Sequence, residues 1–167
     1  FVSPSPSERH LTDFYQNYHK NHFGSGIDKN VETLRWECEN SYTVDDPRLI
    51  FLKKDMEIAQ SSSYRVLDFG CGTGSFLYQA KLAGANIRGI ELDESAVSIC
   101  HQLGLVSVEN GGIESLDSIN DKFNLIVLND VIEHPLNPGI LIAQLANLLT
   151  EAGNISTAST IRGVGIT

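Results

Sequence analysis

Apolar and polar residues change their period near residue 64. Before that point the apolar positions recur at helical spacing. Leu11, Phe14, Tyr15, Tyr18 and His22 fall near one face of a helix expected over 7–23, with Ser7 as its N-cap. Gly24-Ser25-Gly26 breaks that run, and Val31, Leu34 and Trp36 mark a second helix over 29–40. Asp45-Asp46-Pro47 is a helix-start signal with Pro47 at the first helical position; Ile50, Phe51, Met56 and Ile58 follow at loosely helical spacing. Ser61-Ser62-Ser63 then serves as a short connector.

From residue 64 short apolar runs alternate with helical stretches. Strands are expected at 64–68, 86–91, 105–109, 123–129 and 154–159, and helices at 75–83, 94–103 and 137–149. Segment 110–121 is short for a full helix, so that crossover is reduced. This succession of strand and helix predicts an α/β fold, a mainly parallel sheet with helices on both faces. The expected organisation is a lead-in and helical cap over 1–63 and an α/β core over 64–167, one structural domain overall.

The richest stretch is Arg65-Val66-Leu67-Asp68-Phe69-Gly70-Cys71-Gly72-Thr73-Gly74-Ser75-Phe76-Leu77. It reads as a strand ending on an acid, a turn with glycine at every second position, and a helix start. Alternate glycines permit positive φ and a close approach of backbone to a ligand. The helix that follows presents unpaired N–H groups. A second strand, Asn86-Ile87-Arg88-Gly89-Ile90, ends on Glu91, where a carboxylate can accept both hydroxyls of a ribose. Together these features point to a nucleoside-bearing cofactor at the carboxyl ends of a parallel sheet. The glycine spacing is not G-x-G-x-x-G and lacks the G-K-[ST] of a phosphate loop. An acid just ahead of the glycines repels a pyrophosphate and suits a cationic ligand.

These residues resemble class I S-adenosylmethionine-dependent methyltransferases. The matching pieces are Val66 to Gly74, Gly89-Ile90-Glu91-Leu92-Asp93, and Phe123-Asn124-Leu125-Ile126-Val127-Leu128-Asn129-Asp130-Val131-Ile132-Glu133-His134. The resemblance implies a Rossmann-like, doubly wound fold with S-adenosyl-L-methionine as cofactor. It implies that Gly70, Cys71, Gly72 and Gly74 line the cofactor, Asp68 holds its amino group, and Glu91 with Leu92 takes the ribose. It also implies that Asn129, at the end of the fourth strand, is among the cofactor-binding residues. For the adenine ring, the family commonly carries an acid and then a small apolar residue after strand three. Here Asn110-Gly111-Gly112-Ile113-Glu114-Ser115 stands there, with Gly112 in place of the acid, Ile113 left to pack on the ring, and Glu114 expected to point away.

The segment Asn129 to Pro135 is similar to the acid-x-x-Glu-His stretch of ubiquinone-pathway O-methyltransferases and of small-RNA 2′-O-methyltransferases. It makes Glu133 and His134 the catalytic candidates, with the imidazole as acceptor of a hydroxyl proton. Asp130, Glu133 and His134 could also hold a divalent ion, a role not favoured, so no metal is assigned. Tyr15, Tyr18, His19, His22, Trp36 and Tyr42 are read as packing of the cap rather than as an acceptor site.

Composition narrows the partners. The net charge of −9, from 12 basic and 21 acidic residues, disfavours nucleic acid. No apolar run is long enough to span a membrane. Phe1 to Ser7 has neither the charged n-region nor the apolar stretch of a signal peptide and is expected to be an unstructured lead-in. Cys38, Cys71 and Cys100 form no C-x-x-C pair, which argues for a reducing cytoplasm and against a disulfide framework.

The resemblance implies seven strands ordered 3-2-1-4-5-7-6, yet only the seven residues Ile161 to Thr167 remain after the stretch Gly153 to Thr160 that reads as the fifth strand. The last strands are therefore expected to be missing, which leaves strand five as an edge open to homodimer pairing, a state that light scattering reads directly. The combined expectation is methyl transfer to a small-molecule acceptor at oxygen. A catalytically inactive cofactor-binding module and an RNA methyltransferase are the alternatives.

Overall fold

The computed structural model describes residues 13, 31–40, 46–59, 63–129, 131 and 137–158. The first helix expected from the sequence, over 7–23, lies outside the described residues except for Asp13, and so do the N-cap Ser7, His10, His19, His22 and Tyr42.

The described elements are helices α1 (Val31–Asn40) and α2 (Pro47–Ala59), strand β1 (Arg65–Phe69), helix α3 (Ser75–Leu82), strand β2 (Asn86–Glu91), helix α4 (Glu94–Gln102), strand β3 (Val108–Asn110), a 3-10 turn (Ile113–Ser118), strand β4 (Phe123–Asn129), helix α5 (Pro138–Ala146) and strand β5 (Leu149–Ala158). The strands form one sheet ordered β3-β2-β1-β4-β5. Every neighbouring pair is parallel. The chain begins at the centre with β1, winds outward to β3, then returns to β4 on the other side of β1. The switch point, where ligands lodge in such folds, is therefore the cleft between the carboxyl ends of β1 and β4.

Alternation along the strands splits the core into two layers. Leu67, Phe69, Ile90, Ile126 and Leu128 pack with Leu141 and Leu145 of α5 and with Leu116 of the 3-10 turn. Val66, Leu125 and Val127 pack on the opposite face with Phe76 and Ala80 of α3 and with Leu49 and Leu52 of α2. Leu34 and Cys38 of α1 join Leu77 and the buried face of α4. Helices thus cover both faces, and the reduced crossover at 110–121 is the 3-10 turn.

The cap is also tied by polar contacts. The Gln79 amide donates to the Cys38 carbonyl at 3.1 Å, and the Tyr78 hydroxyl donates to Glu39 at 3.1 Å. The Tyr64 hydroxyl, at the entry to β1, donates to Asp55 of α2. Trp36 is 63% exposed, so it does not take the packing role expected for the cap aromatics. Asp46 caps α2, accepting the Arg48 N–H at 2.8 Å, with Pro47 first in the helix as expected.

Two regions depart most from the sequence expectation. Strand β3 starts at Val108, not at residue 105. Gly104, with φ of +81°, ends α4: its N–H bonds the His101 carbonyl and the Leu105 N–H bonds the Cys100 carbonyl. Leu105 is therefore the buried apolar contact that follows a glycine-terminated helix, and its apolarity is not a strand signal. Likewise α5 ends at Ala146 and β5 begins at Leu149, five residues before the expected start. Gly153 stands just ahead of the strand expected at 154–159. In the fold it sits where the β4–β5 register slips, and a Cβ there would lie 2.8 Å from the Phe123 carbonyl oxygen.

Candidate functional site

The β1–α3 turn is built on β2. Gly70 N–H and Cys71 N–H both donate to the Ile90 carbonyl, at 2.8 and 3.2 Å. Gly70, Gly72 and Gly74 carry φ of +78°, +55° and +78°, conformations that side chains resist. Space is as tight as conformation. A Cβ on Gly70 would meet Val131 Cγ2 at 2.4 Å, which shows how closely the segment after β4 approaches the loop.

Glu91 ends β2 beside this turn. Its Oε2 accepts the Gly72 N–H at 2.7 Å and its Oε1 accepts the Asp93 N–H at 2.9 Å. One carboxylate thus braces two turns. Asp93 is buried and caps α4 through the N–H groups of Ser95 and Ala96. Gly72 is held on its other side as well, because the Cys100 thiol lies 3.4 Å and the Cys71 thiol 3.8 Å from its carbonyl oxygen. The contact with Cys100, then burial, then the carboxylates of Asp68 and Glu91 push the Cys71 thiol well above its ordinary value, so that thiol stays protonated and able to donate.

Asp68 is the buried charge of the site. It is 3% exposed, and its Oδ1 has no hydrogen-bond partner among the described residues. Burial pushes its carboxyl up to about 7, opposed by the Arg48 guanidinium and reinforced by Glu91. Arg48 went unremarked in the sequence reading. It lies in the first turn of α2, where a cation opposes the helix dipole. Asp46 holds it there through two contacts, 2.9 and 3.2 Å, with the guanidinium 5.3 Å from the centre of the Phe76 ring. A base misplaced in a first turn was the available signal.

The other expected cofactor residues follow the same edge of the sheet. Leu92 is half-buried, and its carbonyl and that of Glu91 each accept the Asn110 side-chain amide at 3.0 Å. Ile113 is 36% exposed at the start of the 3-10 turn. Asn129 ends β4, half-buried, across the switch point. Glu114, exposed, accepts the Gly112 N–H at 2.9 Å. Glu133, His134 and Asp130 lie outside the described residues. Among the described residues no group of three metal-ligating side chains converges.

The orphaned Asp68 oxygen, the crowded glycine turn and the braced Glu91 carboxylate fit a ligand that is cationic at one end and carries adjacent hydroxyls. A phosphate finds no counter-charge in this donor set.

Comparison with known proteins agrees with this geometry. Residues 36–159 match the family described as "Methyltransferase domain". Among curated proteins, the ubiquinone biosynthesis O-methyltransferase of Dechloromonas aromatica is 30% identical over 132 residues, 72% of this chain and 56% of that protein. The protein of the same name from Pseudomonas syringae pathovar tomato is 30% identical over 105 residues, 59% of this chain and 45% of that one. The chain spans about half the length of these curated relatives. Among solved structures, the plantazolicin methyltransferase BpumL in complex with SAH and a desmethyl analogue superposes with a TM-score of 0.59 at 20% identity, covering 90% of this chain and 60% of that one. Magnesium protoporphyrin IX methyltransferase from Synechocystis PCC 6803, with bound SAH, gives 0.57 at 17% identity, covering 86% and 68%. These likenesses establish the fold.

The state of Asp68 is testable through stability. Its folded-state pKa, about 7, lies above the ordinary 3.8, so the native chain holds an extra proton between those values. Stability from this source is complete below pH ~4 and falls as pH rises through about 7. Asp68→Asn removes the dependence. Thermal melts should therefore show the variant gaining on the parent from pH 5 to pH 8, by up to ~2.6 kcal/mol. A difference that does not change with pH would contradict the burial argument.

The family match over most of the sequence, on a sheet wound in the same order around a glycine turn, leads to one conclusion: this chain belongs to the methyltransferase domain family.

Proposed function

We propose that this chain binds S-adenosyl-L-methionine at the carboxyl ends of β1 and β2 and directs its methyl group to an oxygen of a small-molecule acceptor. The observation that carries the reading is the pairing of an unpartnered, buried Asp68 oxygen with the Glu91 carboxylate beside a glycine turn. The family match, the ubiquinone-pathway O-methyltransferases among the relatives, and the SAH held by solved neighbours support it.

When bound, the cofactor supplies a sulfonium-activated methyl group, so the protein's tasks are binding, alignment, exclusion of water and removal of a proton. Asp68 would accept the amino group, and a cation beside it favours its ionised form. Glu91 would accept the ribose hydroxyls, sharing its oxygens with Gly72 and Asp93. Gly70, Cys71, Gly72, Gly74, Leu92 and Asn129 would line the ligand. His134 is assigned as the base that takes the acceptor's proton, with Glu133 beside it. This assignment rests on the sequence pattern after β4 and on the position of β4 at the switch point. The acceptor is read as a small molecule because the charge of −9 opposes phosphate-rich partners. A cytoplasmic setting fits three cysteines that are all free.

Two variants test the proposal. Glu91→Ala should weaken S-adenosylhomocysteine by about 1.5–3 kcal/mol in titration calorimetry, the range for a hydrogen bond to a charged acceptor. Unchanged affinity would remove Glu91 from the ribose. His134→Ala should leave that affinity within about twofold and slow methyl transfer by roughly 10²-fold or more with an acceptor in hand. A variant with full turnover would remove His134 as base.

A further inference from the structure

The three free cysteines belong to one apolar cluster beneath the glycine turn. Cys38 of α1 and Cys100 of α4 lie in its core, and Cys71 packs against it from the turn itself. The Cys38 sulfur lies 3.6 Å from the Ser75 hydroxyl, at the start of α3. Cys71 and Cys100 instead share one acceptor, their sulfurs 3.8 and 3.4 Å from the Gly72 carbonyl oxygen. They also touch each other, the Cys100 thiol being a hydrogen-bond partner of Cys71. Methyl transfer leaves the Cys100 thiol without a chemical task.

The two thiols differ in access. Cys71 is half-buried in the glycine turn, whereas Cys100 is 0% exposed. A small oxidant entering the cleft therefore meets Cys71 first, with Cys100 behind it. An accessible thiol backed by a second one is the arrangement in which a first oxidation product is resolved as a disulfide. Both sulfurs are tightly packed: a Cβ on Gly74 would lie 2.8 Å from the Cys100 sulfur, and one on Gly89 3.0 Å from the Cys71 sulfur.

We propose that Cys71 and Cys100 are a paired oxidation site, which a small peroxide closes to a disulfide, and that closure disables the cofactor cleft. The Cys71 sulfur, as thiolate, attacks a peroxide oxygen. An S–O bond forms, the O–O bond breaks, and the departing hydroxide takes up the proton that Cys71 released, as water. The Cys100 sulfur then attacks the sulfenic sulfur. An S–S bond forms, the S–O bond breaks, and hydroxide leaves with the Cys100 proton as a second water. The two sulfurs together lose two electrons, which reduce the peroxide. The new bond draws both sulfurs off the Gly72 carbonyl and pulls the turn toward α4. Glu91 holds the Gly72 N–H, so the displacement passes to that carboxylate. The contact with Cys100, burial, and the carboxylates of Asp68 on β1 and Glu91 on β2 keep the Cys71 thiol protonated, so closure is slow near neutral pH and quickens as pH rises. The loss of cofactor affinity rests on the cofactor reading above; the disulfide itself does not.

The test treats the whole chain with hydrogen peroxide and maps its thiols by non-reducing mass spectrometry. The expected product is a Cys71–Cys100 cross-linked peptide, lighter by two hydrogens and reversed by dithiothreitol. Cys38→Ser should give the same cross-link. Cys100→Ser should give none, and dimedone should then trap the Cys71 sulfenic acid. In calorimetry the oxidised parent should bind S-adenosylhomocysteine at least about tenfold more weakly than the reduced parent, with its far-UV circular dichroism unchanged. A cross-link through Cys38, or none at all, overturns the pairing. A Cys71–Cys100 bond with undiminished affinity, or with a collapsed spectrum, overturns its effect on the cleft. A reduced parent that binds no S-adenosylhomocysteine, yet forms the cross-link, overturns the cofactor reading and upholds the oxidation site.

Discussion

The junction between the ends of β1 and β2 is the constraint on which the site depends. Parallel strands leave the sheet side by side, and each must turn into a helix with its last N–H groups satisfied. Here the Ile90 carbonyl takes two N–H groups from the glycine turn, and the Glu91 carboxylate takes one from that turn and one from the next. This bridging sets where α3 and α4 begin. It also holds the glycine turn in positive-φ conformations that would be costly in isolation. The thiol contacts behind Gly72 complete the clamp from the core side.

Electrostatics then divide the site. Asp68 sits at the dry end, where burial favours its neutral form. Arg48 supplies the opposing positive potential from the cap, anchored by Asp46 over Phe76. Glu91, half-buried, faces the wetter end. Two acids of different burial thus lie along one short path, the arrangement by which one fold can meet a cation at one point and neutral hydroxyls at another.

Much of this was readable from the sequence because strand, acid and alternate glycines fall in one continuous stretch, from Val66 to Gly74, where local rules and the fold agree. Strands β2 and β4 keep the limits expected of them for the same reason. The misread boundaries belong to residues whose character is set by distant partners. Leu105 is apolar because it covers the end of α4, and Gly153 is small because the Phe123 carbonyl presses on it. Arg48 was missed for a related reason. Arg48 acts across the fold on Asp68, from an element separated by a connector. The fold-back of Glu114 onto Gly112 was not legible either, because it depends on the room that glycine leaves there, which no spacing rule encodes.

The most direct test is to titrate S-adenosylhomocysteine into the isotope-labelled chain and follow its backbone amide signals. The account predicts that Gly70, Gly72, Asp93 and Gly112 move together with one saturable affinity, while Arg65 and Asn86 at the opposite ends of the strands stay still. A folded spectrum in which the glycine-turn and Asp93 signals do not move, or in which movement is confined to the amino ends of the strands, would contradict it.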